Sequence, residues 1–163
     1  MRKPNSQSGF TIIEVMIVTM IIGVISAIVL PTVREYTARA KISEALLAFS
    51  NCRNIITDVY QSGDHSPGPH NWGCESDPAL DRVSQYVLII DTKDTPSPGT
   101  IVVTLTGFNG DPRLDLQDIT LSPKDSLGNA PVIGNGLNRW RCGSPADGTT
   151  LAQKYLPGSC AGN

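Results

Sequence analysis

Between residues 10 and 30 the chain runs for twenty-one positions with only Thr11, Glu14, Thr19 and Ser26 carrying polar side chains. As a helix at about 1.5 Å per residue, this run reaches roughly 30 Å, the hydrocarbon thickness of a bilayer. A helix apolar on every side has no solvated face, so it belongs in lipid or in a wholly apolar protein environment. In a chain of 163 residues, that leaves material for one head of ordinary domain size and not two.

The flanks decide what becomes of the run. Residues 1–9 are short, polar and basic, with Arg2 and Lys3, and the change to apolar sequence at Phe10 is abrupt. A secretory signal is cut after its apolar stretch at a small-residue site, whereas here Pro31, Thr32, Val33, Arg34 and Glu35 follow. The apolar helix is therefore expected to be retained. The basic flank places the N-terminus in the cytoplasm and the remainder outside, in a single pass through a membrane.

Glu14 is the anomaly of the span. A carboxylate in an apolar span costs on the order of 2 to 3 kcal/mol unless it is paired or interfacial, so it calls for a partner. Gly23 and Pro31 bracket a stretch of weak helix propensity with one backbone donor missing, where the helix can bend or unwind.

Thirteen Lys and Arg face fifteen Asp and Glu, a formal charge of -2. Loss of Arg2 and Lys3 would make the balance more acidic, which does not favour a nucleic-acid-binding patch. The four cysteines, Cys52, Cys74, Cys142 and Cys160, fit disulfides in an exported chain. Three pairings are open. The neighbouring pairs Cys52 with Cys74 and Cys142 with Cys160 demand the least loop closure.

Over residues 32–61, Val33, Tyr36, Ala40, Ile42, Ala45, Leu46, Phe49, Cys52, Ile56 and Val59 recur at three- and four-residue steps, an amphipathic continuation of the same helix. Gly63 is placed to end it, giving a helix of roughly 75 Å. Residues 62–80 form a loop carrying His65, His70, Trp72 and Cys74. Strands are predicted over 84–90, 100–106, 118–121 and 137–142, separated by segments rich in Gly, Asp and Pro. No helical period lies between them, so an antiparallel meander packed on the helix is expected. The fold class is α+β, a long N-terminal helix against a four-stranded antiparallel sheet.

These residues also carry a family resemblance. The short basic leader, Gly9, Phe10, Glu14, Gly23 and Pro31 all fall where the processing site and helix of type IV pilins have them. The resemblance implies that a prepilin peptidase cuts between Gly9 and Phe10 and methylates the new Phe10 amine. It implies that Glu14 pairs with the Phe10 amine of a neighbouring copy, and that the stretch between Gly23 and Pro31 melts on assembly. The run Arg139, Trp140, Arg141, Cys142 followed by Tyr155, Leu156, Pro157, Gly158, Ser159, Cys160 resembles the disulfide-bounded loop that ends many major pilins. This supports pairing of Cys142 with Cys160.

The organisation implied is a leader over 1–9, an anchor and filament core over 10–31, and a head over 32–163. The implied function is that of a structural, non-enzymatic subunit, a homopolymer of identical copies needing lipid before assembly, a prepilin peptidase and an inner-membrane assembly platform. Adhesion, twitching motility and DNA uptake are the roles the resemblance brings. A minor pilin, a type II secretion pseudopilin and a membrane-tethered binding domain that never polymerises are the competing readings.

Other chemistry has weaker support. Cys52, His65, His70 and Cys74 lack the close cysteine spacing of a zinc site. Asp111, Asp115 and Asp118 lack the regular spacing of a calcium loop. No Gly-x-Ser-x-Gly elbow occurs, and Gly134, Asn135 and Gly136 read as a turn, not a phosphate loop. Neither a cofactor nor a catalytic metal is expected.

Overall fold

The computed structural model describes residues 9–76 and 82–162, with the side chains of 30–32 left out. The expected leader, apart from Gly9, and the end of the loop at 77–80 lie outside the described residues. The chain divides into two compact units, one ending at Thr37 and one beginning at Ala38.

Helix α1, Ile12–Ser62, runs for 51 residues and is α-helical through both Gly23 and Pro31. Its start is set by Thr11, whose Oγ1 accepts the Glu14 backbone N–H at 3.3 Å, one half of a capping box with Glu14 at the third helical position. Within the first unit, Ile12, Met16, Met20, Ile25 and Ile28 are all exposed. Thr19 donates its hydroxyl to the Met16 carbonyl at 3.0 Å, so this polar group in the apolar run is satisfied within the helix. The helix ends at Ser62, where the Gly63 N–H bonds the Val59 carbonyl at 2.7 Å. A Cβ at Gly63 would come within 2.5 Å of that carbonyl, so glycine is required at this position.

In the second unit one stripe of α1 is buried: Ala38, Ile42, Ala45, Phe49, Cys52, Ile56 and Tyr60, at steps of four and three. Tyr60 is a member that the sequence pattern missed. Val33, Tyr36 and Ala40, expected on the packed face, are exposed, because they are out of phase with the buried row that runs from Ala38 at steps of four and three.

The sheet is an antiparallel meander in the order β1-β2-β3-β4, comprising Val87–Lys93, Thr100–Leu105, Asp118–Lys124 and Arg139–Cys142. Ile101, Val103 and Leu105 of β2, with Ile119 and Leu121 of β3, join the helix stripe in one apolar core. β1 starts three residues later than the alternation suggested. Ser84 instead bonds back through its N–H to the Val87 carbonyl at 3.1 Å, and the polar Thr92 is buried within the strand. β3 runs on to Lys124 across Pro123. Pairing with β2 ends at Leu121, so the N–H that Pro123 lacks is not needed on that side.

The loop after α1 lies along the outer edge of β1, with the His70 N–H on the Thr92 carbonyl at 3.2 Å and the Ser76 N–H on the Ile90 carbonyl at 2.9 Å. It shields a strand edge that would otherwise offer unpaired backbone groups. Tyr60 ties the other end of the core. Its hydroxyl donates to the Pro98 carbonyl at 2.8 Å, its ring stacks on Trp72, and burial with the nearby Asp94 charge pushes its pKa up to about 12.

Two disulfides close the head, Cys52 with Cys74 and Cys142 with Cys160. The segment between the latter pair folds into three short 3-10 turns, Pro145–Asp147, Gln153–Tyr155 and Gly158–Cys160, and buries Leu151, Tyr155 and Leu156. It can turn back only because residue 143 is glycine. At φ 72°, a Cβ there would lie 2.4 Å from the Cys160 carbonyl oxygen and 2.6 Å from a Leu156 methyl. Gly143→Ala is therefore expected to destabilise the head by about 2 kcal/mol or more, read as a lowered urea midpoint by tryptophan fluorescence of the detergent-dispersed chain. Replacing Cys142 and Cys160 together by serine is expected to cost about 3 kcal/mol in the same assay.

Candidate assembly helix and head surface

The residues to which sequence reasoning assigned roles fall in three places. Gly9, Phe10 and Glu14 sit at the start of the chain's long helix, Phe10 and Glu14 both exposed. Gly23 lies within the exposed apolar run, and no atom comes within 4 Å of a Cβ built on it. Packing within one copy thus gives no reason for glycine there. Pro31 is helical in its backbone, and its missing N–H leaves the carbonyl of residue 27 without its usual helical donor. The span is long and apolar enough to cross a membrane.

The four cysteines occupy the head, where both bridges lie beside the core and Cys52 and Cys160 are buried. The metal readings find their side chains otherwise engaged. Cys52 and Cys74 are bonded to each other, and His70 Nδ1 pairs with Asp91 Oδ1. Asp111 is paired with Arg113 at 2.7 Å, which holds its carboxyl down at about 2. Asp115 accepts the Phe108 and Gly110 N–H groups at 2.9 and 2.6 Å, and Asp118 accepts the Thr104 hydroxyl at 2.7 Å. Among the described residues no group of three or more His, Cys, Asp or Glu is placed to hold a metal ion.

Two polar clusters were not legible in the sequence. The face of the sheet turned away from α1 is a buried hydroxyl layer. In it Thr100 meets Ser122 at 2.9 Å and Thr120 meets Thr149 at 2.7 Å, the latter drawing the C-terminal disulfide loop over β3. At its edge the fully buried Asp147 carboxylate takes Arg141 Nε at 2.6 Å and lies 3.4 Å from Lys124 Nζ. Burial alone would push the Asp147 pKa up, but the Arg141 hydrogen bonds and the Lys124 charge hold it below the ordinary value. Strand periodicity marks both cations as outward-facing, but nothing in it says that Asp147 will close over them.

In the second cluster, Glu75 folds back on its own loop. It accepts the backbone N–H groups of Trp72, Gly73 and Cys74 at 2.9, 2.8 and 3.0 Å, and the Thr92 hydroxyl. Burial works against its charge, and these donors outweigh it, holding its pKa down. Glu75 thereby fixes the Cys74 end of the first disulfide against β1.

Both carboxyls are depressed in the folded state, so the stability they contribute is complete above the ordinary carboxylate pKa of about 4 and is lost as pH falls through their lowered values. Acid unfolding of the chain should accordingly set in below about pH 4. Asp147→Asn should lower stability by about 3 kcal/mol at neutral pH by leaving Arg141 and Lys124 uncompensated, and should flatten the acid limb of the stability–pH curve.

The comparisons with known proteins agree with this architecture. The family described as Pilin (bacterial filament) matches residues 38–161, and the Prokaryotic N-terminal methylation motif matches residues 4–30. The chain is 28% identical to the type IV major pilin protein PilE1 of Neisseria gonorrhoeae over 169 residues, covering 96% of this chain and 95% of that protein. It is 31% identical to the fimbrial protein EcpC of Eikenella corrodens, covering 94% of this chain and 90% of that protein. A fimbrial protein of Moraxella nonliquefaciens is 46% identical over 59 residues, 36% of this chain and 38% of that protein. With an N-terminal methylation motif leading into the apolar helix and a pilin head beyond it, the chain belongs to the type IV pilin family.

Proposed function

We propose that the chain is the major subunit of a type IV pilus. It is inserted in the inner membrane through residues 10–31, with its leader over 1–9 in the cytoplasm and its head over 32–163 outside. A prepilin peptidase cuts it between Gly9 and Phe10 and methylates the Phe10 amine, and an assembly platform extracts it into a homopolymer. The observation that carries this reading is the exposed apolar run of α1, interrupted near its start by Glu14 alone among the acidic residues. A surface of that kind demands lipid first and other copies of the same helix afterwards.

In the filament core, Glu14 pairs with the Phe10 amine of a neighbour. A buried carboxylate without its counter-charge is costly, so each copy is held in the axial register that brings the two together. Thr11 contributes by holding the helix start at Glu14 in defined geometry. Gly23, which fills no packing need in one copy, and Pro31, which removes a helical hydrogen bond, let the intervening turns unwind when copies pack. Adhesion, twitching motility and DNA uptake are the activities such a retractile filament would serve. A minor pilin at the tip is the second reading, favoured only by the same helix.

Shearing the cells distinguishes the two. The chain, beginning at Phe10, should be the dominant protein of long thin filaments, and its absence from them rejects the major-subunit reading. Glu14→Val should leave membrane insertion and cleavage intact while abolishing filaments on electron micrographs. Normal piliation in that variant would contradict the proposed ion pair.

A further inference from the structure

The turn between β2 and β3 presents an exposed leucine in an unusual state. Leu116 is 69% exposed and has φ 60°, a left-handed backbone that bulky side chains seldom adopt. It is held there firmly. Its N–H bonds the Leu105 carbonyl at 3.0 Å, Leu105 N–H bonds the Gln117 carbonyl at 2.9 Å, and the preceding Asp115 carboxylate anchors Phe108 and Gly110. Strain spent on presenting an apolar side chain outward, on a turn braced from below, is the form of a docking knob and not of a folding element.

A matching recess lies on the same head. Between α1 and β4 runs a groove of about 940 Å³, lined by the apolar Leu46, Leu121, Leu137 and Trp140 and by the charged Arg53, Arg139 and Asp58. No carboxylate among the described residues pairs with either arginine. The sheet edge is also unlike its opposite. β1 is covered by the loop after α1, whereas among the described residues the backbone of β4 is reached from outside the sheet only by the Gly162 N–H, on the Cys142 carbonyl at 2.8 Å. The Leu116 turn carries two carboxylates, Asp111 and Asp115, against the single Arg113, and the groove carries two cations, Arg53 and Arg139, against the single carboxylate of Asp58, so their net charges are opposite.

Knob and recess cannot meet within one copy. Leu116 precedes Asp118 at one end of β3, and Arg139 at the mouth of the groove pairs with Lys124 at the other end, about 20 Å away along the strand. Two complementary patches at opposite ends of one head make a heterologous contact, which repeats head to tail and extends as a filament where the rotation between copies does not close a ring. We infer that the Leu116 turn of one copy seats in the α1–β4 groove of a second copy of this chain, a head-to-head contact additional to the packing of the N-terminal helices. The inference rests on the filament reading above.

The test is made on assembled filaments of the full chain. All four native cysteines are in disulfides, so a short bismaleimide reacts only with introduced thiols. Leu116→Cys together with the groove residue Asn138→Cys should yield a ladder of dimers, trimers and longer chains, and each single substitution should yield none. In unmodified filaments, the amides of residues 115–117 and 139–141 should exchange more slowly than in the detergent-dispersed chain. Filaments without the ladder, cross-links to another protein in its place, or unchanged exchange at both segments would each overturn the contact while leaving the pilus reading standing. If the double variant does not assemble, the exchange measurement on the unmodified chain decides alone. A chain that forms no filaments in any form overturns both.

Discussion

The head depends on one packing event, the burial of the α1 stripe from Ala38 to Tyr60 against the apolar face of β2 and β3. Neither partner is stable by itself. A helix so short of intrinsic stabilisation relies on tertiary contacts, and a small open sheet needs a layer against one face. Every other device in the head serves that contact. The Cys52 to Cys74 bridge draws the following loop over β1, Tyr60 anchors the β1–β2 turn through Pro98, and the Cys142 to Cys160 loop packs Leu151, Tyr155 and Leu156 into the same core.

The same helix meets two opposite demands along its length. Over residues 12–29 its side chains are exposed and almost wholly apolar, and from Ala38 onward one stripe is buried while charged and polar residues occupy the rest. Both parts belong to one helix, Ile12–Ser62, whose backbone ladder lacks one donor at Pro31.

The helix, the number and order of strands and the class of the fold were legible because they rest on local periodicity: steps of three and four in α1 and alternation in the strands. Where reading and structure part, the cause is a contact with something distant in the chain. Val33, Tyr36 and Ala40 follow three- and four-residue spacing among themselves but lie on the side of the helix opposite the buried stripe, because spacing alone does not say which of two apolar rows a partner covers. β1 slid toward its polar end because Thr92 found buried hydrogen bonds with Glu75 and His70. β3 ran through Pro123 because only one of its neighbours reaches that far.

The sequence by itself determined that this chain needs an apolar host for residues 10–30, that Glu14 there calls for a counter-charge, and that the head has an amphipathic helix to bury. These follow from composition and period, which act residue by residue. Only the tertiary structure decided that Asp147 neutralises Arg141 and Lys124, that Glu75 clamps the first disulfide loop, and that Leu116 and the α1–β4 groove stand at opposite ends of one sheet. Each joins residues whose neighbours along the chain give no hint of the pairing. Chain reversals at turns such as Gly143 set which distant groups share a low-dielectric site, and that choice belongs to the fold as a whole.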